Sequence, residues 1–122
     1  MNKQKTNHKI WWDDKEKIVR SKFWGDSNEK IAKEQTESMA KFYNTLKGDI
    51  LVLIDLTEGG KTTSEARKIY ADGLKSMGVK KHAFIVKNTI LRVTVDFIMK
   101  ASGAKNVKFF KDENKAIKWL KE

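Results

Sequence analysis

A chain of 122 residues has room for one domain and one continuous core, so anything it binds sits on or between its own elements. It has no cysteine, which excludes disulfides, thiol catalysis and cysteine zinc sites, and its two histidines, His8 and His82, show no H-E-x-x-H or similar metal spacing. The net charge of +10 attracts polyanions, yet lysines and acids interleave along the whole chain and Arg20, Arg67 and Arg92 are the only arginines; a solvated lysine-rich surface explains this better than dedicated nucleic-acid binding.

Residues 1–7 read as a polar, basic, disordered start, and residues 8–122 as the domain. HKIWWDD from His8 predicts a strand, Asp13-Asp14-Lys15 a turn, and EKIVRSKFWG a second strand ending at Gly25, which together form a β-hairpin. Asp26 or Ser27 is placed to cap a long amphipathic helix carrying Ile31, Gln35, Met39, Phe42 and Leu46 and stopping at Gly48. Ile50 to Leu56 is an apolar run broken only by Asp55, as in a central strand covered on both faces.

A loop rich in Gly, Thr and Ser follows, and Thr62-Thr63-Ser64-Glu65 has the spacing of a capping box. It opens a helix from about Thr63 to Met77 with Ala66, Ile69, Tyr70, Leu74 and Met77 inward and Gly78 as its stop. Lys81 to Val86 predicts a further strand. Asn88 caps a helix fitted by the apolar spacing of Ile90, Leu91, Thr94, Val95, Phe97, Ile98 and Ala101 and closed by Gly103, although its β-branched run is unfavourable for a helix. Asn106 to Phe110 makes a last strand, and Asp112 caps a closing helix with Ala116, Ile117, Trp119 and Leu120 apolar. The order β-β-α-β-α-β-α-β-α predicts an α/β fold with parallel pairing, right-handed crossovers and a mixed sheet opened by the hairpin.

The loop after the central strand is the first candidate site, because polar groups gather there at the C-terminal edge of the sheet. Gly59, Gly60, Lys61 and the hydroxyls of Thr62, Thr63 and Ser64 could hold an anion, which gives one reading as a nucleotide- or phosphate-binding protein or enzyme. The full phosphate-loop pattern needs a glycine where Asp55 stands, and a carboxylate there repels phosphate. Asp55 is read instead as accepting from loop N–H groups. Asp13, Asp14 and Glu16 read as a turn cluster and His82 as a structural residue. Adjacent Trp11 and Trp12 must face opposite sides of their strand; with Phe23, Trp24 and nearby lysines they outline an aromatic edge suited to a protein contact or a membrane interface.

From Asp26 to Leu120 the chain resembles a STAS domain of the SpoIIAA-like group, a family named for bacterial anti-sigma-factor antagonists and the cytosolic tails of sulfate transporters. The resemblance rests on GDILVLIDL, on KSMGVKKHAFIVKN and on FIMKASGAKNVKFFKDENKAIKWL; the opening hairpin also suits the stand-alone bacterial members. It implies a βα superhelical domain that binds and regulates without catalysis, needs no cofactor, and recognises a protein partner, an anionic membrane surface or an apolar ligand held between mobile helices. Family members switched by phosphorylation carry D-S-S-G at the start of the helix after the central strand. The matching place here makes Ser64, Thr63 and Thr62 the candidate phospho-acceptors, with the flanking aspartate and glycine missing. The resulting expectation is a cytoplasmic, peripherally membrane-associated or protein-binding module without a transmembrane segment, with a homodimer as one form. Asp55 and Gly59 to Ser64 are its recognition residues, and Trp11 and Trp24 its membrane or partner contacts.

Overall fold

The computed structural model describes residues 7–122, and residues 1–6 of the expected disordered start lie outside the described residues. The elements are β1 (His8–Asp13), β2 (Ile18–Ser27), α1 (Glu29–Tyr43), β3 (Leu51–Thr62), α2 (Ser64–Ser76), β4 (Lys81–Ile85), α3 (Thr89–Ser102), β5 (Val107–Phe110) and α4 (Glu113–Leu120). They form one five-stranded sheet in the order β1-β2-β3-β4-β5, with β1 antiparallel to β2 and every later pair parallel. The expected order and mixed sheet are both present.

Strand alternation divides the core in two. Val52 and Ile54 of β3 join Val19, Phe84, Val86 and the inner residues of α1 and α3 in one cluster, with Leu74 of α2 and its C-cap Met77 packed against it. Leu53, between them in sequence, joins Ile18, Ala83, Ile85 and α4's Ala116 and Leu120 in the other. Among the described residues three helices therefore cover one face and α4 alone covers the second. On that second face, Arg20 donates from Nε to Asp13 at 2.6 Å and pairs through Nη1 with Glu113 at 3.1 Å, tying the hairpin to α4. Lys121 reaches Glu16 in the hairpin turn at 2.5 Å.

The local starts differ from the sequence expectation in a connected way. α1 is capped by Asn28, whose side chain accepts from the Ile31 N–H, rather than by Asp26 or Ser27. Those two residues are occupied elsewhere: β2 runs on past Gly25 to pair Ser27 with Thr62, and the Asp26 carboxylate accepts from the Lys61 N–H at 2.8 Å. α1 ends at Tyr43, short of Gly48, and Leu46 packs on the core from the turn that follows.

The expected loop from Gly59 is strand instead. β3 continues through Gly59, Gly60, Lys61 and Thr62 because β2 offers a parallel partner along the same length, with Gly25 beside Gly59. The glycines fit this close approach. A methyl at Gly60 would overlap Asp26 Oδ1 and lie 3.0 Å from the carbonyl atoms of Gly25. Gly60→Ala is therefore expected to destabilise the fold by roughly 1–3 kcal/mol, the range for overpacking, read as a lowered urea midpoint. Unchanged stability would show that the β2–β3 edge gives way freely.

Candidate functional site

The space between the sheet and its three helices holds an apolar concavity. α2 packs chiefly on α1 and α3 rather than on the strands, so the layer beneath it is not filled. A cavity of about 100 Å³ lies there, floored by Ile54, His82 and Phe84 and walled by Met39, Leu74, Met77, Leu91, Val95 and Ile98. At the C-terminal edge of the sheet it is bordered by Trp24, Gly59, Gly60 and Thr62. Gly59 lets β3 approach α3: a methyl there would stand 3.0 Å from the Leu91 side chain.

The polar groups of this wall are mostly satisfied by each other. Tyr70 of α2 donates to the Gln35 side-chain oxygen of α1, and its hydroxyl also meets Ser27 of β2, so one hydrogen-bond chain joins both helices to the sheet. His82 is different. It is 3% exposed, its ring stacks beside that of Phe84, and its Nε2 is a buried atom with no hydrogen-bond partner among the described residues. Such an orphan costs about 1–3 kcal/mol. Burial lowers the His82 pKa to about 4, because a charged imidazolium would lose its hydration with no compensating partner. His8, which meets Ser21 Oγ at 2.8 Å, is also held at about 4 by burial.

The residues singled out from sequence fall into separate settings. Asp55 accepts from the N–H and hydroxyl of Thr57 at 2.9 and 2.7 Å, the N–H capture expected of it, and pairs in register with Lys22 and Ile85. Gly59, Gly60 and Thr62 border the cavity, whereas the Lys61 side chain is exposed and its N–H is taken by Asp26. The cap of α2 is Thr63, one residue later than the T-x-x-E reading, and its hydroxyl accepts from the Ala66 N–H. Thr62 accepts from Arg67 through its carbonyl and its hydroxyl. Ser64 is the first helical residue and is exposed. Trp11 is half-buried under the Lys9 ammonium, 5.0 Å from its ring, while Trp12 is 41% and Trp24 37% exposed.

The outer face of α3 was not legible as such. Asn88 caps the helix and Gly103 closes it in the left-handed conformation, as expected. Its buried residues are Leu91, Val95, Ile98 and Ser102, whereas Ile90, Phe97 and Ala101 of the same apolar set face out. Ile90 is 80%, Val93 65% and Phe97 62% exposed. The signal available in the sequence was redundancy: positions 90, 93, 97 and 101 form a second apolar stripe beside 91, 95 and 98, and one helix cannot bury both in this layer.

In structural comparison the chain is similar to the crystal structure of a DUF3478-family protein with a SpoIIAA-like fold from Shewanella loihica, with a TM-score of 0.64 and 21% identity, covering 93% of this chain and 91% of that one. The fold is thus a SpoIIAA-like α/β domain. Residues 10–122 match the family model described as Domain of unknown function (DUF7793), and the chain belongs to that family. No curated protein matches it. Among the described residues no helix is long and apolar enough to cross a membrane.

The depressed pKa of His82 predicts a pH dependence with a definite sign. Above about pH 6.5 the imidazole is neutral whether the chain is folded or unfolded, and it contributes no slope. Between 6.5 and about 4 the unfolded chain takes up a proton that the folded chain refuses, so stability falls as the pH is lowered, by up to roughly 3 kcal/mol for a shift of this size. His8 adds in the same direction. Urea denaturation at pH 7 and pH 4.5 should show a smaller loss in His82→Gln than in the parent; equal losses would mean that His82 is hydrated in the folded state.

Proposed function

We propose that this chain is a non-enzymatic binding module of the SpoIIAA-like type, and that it docks on an anionic lipid surface through the outer face of α3. The observation that carries this reading is the exposed stripe of Ile90, Val93 and Phe97. Three large apolar side chains along one helical face forgo roughly 1.5–3 kcal/mol each of available burial. Charge selects the occupant. Residues 87–105 contain Lys87, Arg92, Lys100 and Lys105 against the single acid Asp96, and the whole chain carries +10. Apolar residues between cations fit an interfacial helix whose apolar face enters the acyl boundary while its cations meet anionic headgroups.

The cavity supports the same reading, since α3 is at once the exposed face and one cavity wall, so an apolar molecule taken from the lipid phase would enter beside the docking helix. Trp24 borders that cavity with part of its ring in solvent and is proposed as a secondary lipid contact, with Trp11, half-buried under Lys9, contributing less. Gly59 to Ser64 stay within the proposed recognition region as the cavity's border and the start of α2. Asp55 supports it from the adjoining strand. Ser64, with its exposed hydroxyl at the helix N-terminus, is the proposed phospho-acceptor in preference to Thr63, whose hydroxyl caps α2, and to Thr62, which serves Arg67. A phosphate there would be favoured by the helix dipole.

Cosedimentation with phosphatidylserine-containing and pure phosphatidylcholine vesicles tests the reading. The parent protein should bind the anionic vesicles and lose binding with added salt. Phe97→Glu should weaken binding about tenfold or more, the factor expected for one buried aromatic, and Trp24→Ala should have a smaller effect. Failure of the parent to sediment with anionic vesicles sinks the proposal. If Phe97→Glu instead dissolves a dimer seen by sedimentation velocity, the face belongs to a second copy of this chain.

A further inference from the structure

We propose that the cavity beneath α2 takes a small uncharged aromatic molecule bearing a hydroxyl, of the phenol class, and that the hydroxyl completes the unmet hydrogen bond of His82 Nε2. This rests on the reading of the cavity as a ligand site and adds to it the chemistry of the ligand and the residue that orients it.

Size sets the first limit. At about 100 Å³ the space is of the order of the dry cavities of about 150 Å³ that admit benzene, so a single ring fits and a bulky amphiphile does not. Charge sets the second. Among the described residues no Lys, Arg, Asp or Glu lines the cavity, so an ionised group would lose its hydration without a counter-ion. The polar character of the ligand is set by what the wall leaves unsatisfied. Tyr70, Gln35 and Ser27 are committed to one another, whereas His82 Nε2 is buried without a partner among the described residues.

A neutral imidazole presents Nε2 either as a donor or as an acceptor according to its tautomer. A hydroxyl can answer in either sense, while a ketone or an ether can only accept. An aromatic hydroxyl therefore meets both constraints: its ring replaces apolar vacancy against Ile54, Phe84 and Val95, and its O–H satisfies the one polar atom of the floor that the fold itself leaves open.

Calorimetric titration of the full chain with toluene and with phenol, in the parent and in His82→Phe, separates the two levels. Both compounds should bind the parent. The ratio of phenol to toluene affinity should fall about tenfold in His82→Phe, the change expected for one buried hydrogen bond, with toluene affinity held within a few-fold. An unchanged ratio with toluene still bound overturns the role of His82 and leaves the cavity reading standing. Absence of binding by either compound to the parent overturns both. Should His82→Phe not fold, the parent alone decides the matter through its ¹⁵N-labelled imidazoles: phenol should move the His82 Nε2 resonance and toluene should not, with His8 the only other histidine to assign. An equal response to the two compounds overturns the proposal.

Discussion

The rest of the molecule depends on the position of β3 between β2 and β4. Its alternation sends Val52 and Ile54 to one side and Leu53 to the other, so a single strand nucleates both core clusters. The consequence is an asymmetric sandwich. α1, α2 and α3 share the first face, and α4 by itself must cover the second. The part of that second face beyond its reach is managed with charge: Arg20 is held between Asp13 and Glu113, and Lys22 pairs with Glu58 at 2.8 Å. Exposed pairs of the second kind add little stability. Their effect is to keep an open sheet surface polar.

Helix packing on the first face explains α3. Three helices share this face, and α2 rests chiefly on α1 and α3 rather than on the strands. This leaves an apolar void and makes α3 both a wall and a support. Its inner stripe is consumed by that duty. Folding gives no account of Ile90, Val93 and Phe97, which are exposed although the inner face of the helix is already complete. A helix with apolar residues on two faces, one of them in solvent, is better explained by something outside the chain than by packing within it.

Element type was legible in the sequence nearly throughout, because the helices carry an apolar period of three to four, the strands are apolar runs, and most have a recognisable start or stop. Asn88 and Gly103 around α3, and Asp112 before α4, are examples in which local chemistry and tertiary structure agree. The departures at the Gly-rich segment and at the start of α1 share one physical cause. Gly59 and Gly60 are ordinary loop residues by propensity, and only a strand of matching length alongside could draw them into β3; that partner, β2, lies more than thirty positions upstream. The same pairing removed Asp26 and Ser27 from capping duty and passed it to Asn28. On α3, helical period identified the apolar residues correctly but not which of two adjacent stripes the sheet would accept. His82 was read as structural on its position in a strand, and the lack of a hydrogen-bond partner for its Nε2 among the described residues could not be seen before its neighbours were placed.

The Gly-rich segment also shows why an anion site was plausible from sequence and is weakened in three dimensions. A phosphate cradle needs N–H groups that the fold leaves unpaired. Here the Lys61 N–H is met by the Asp26 carboxylate, the Thr63 N–H by the Ser27 carbonyl at 3.2 Å and the Ala66 N–H by the Thr63 hydroxyl. The chain thus supplies its own anion at the point where a ligand phosphate would sit. What the segment contributes instead is thinness: with no side chains, Gly59 and Gly60 bring β3 close to α3 and to β2, and this close approach shapes the rim of the cavity. The apolar space and the exposed apolar face of α3 are surfaces whose burial the fold itself leaves incomplete.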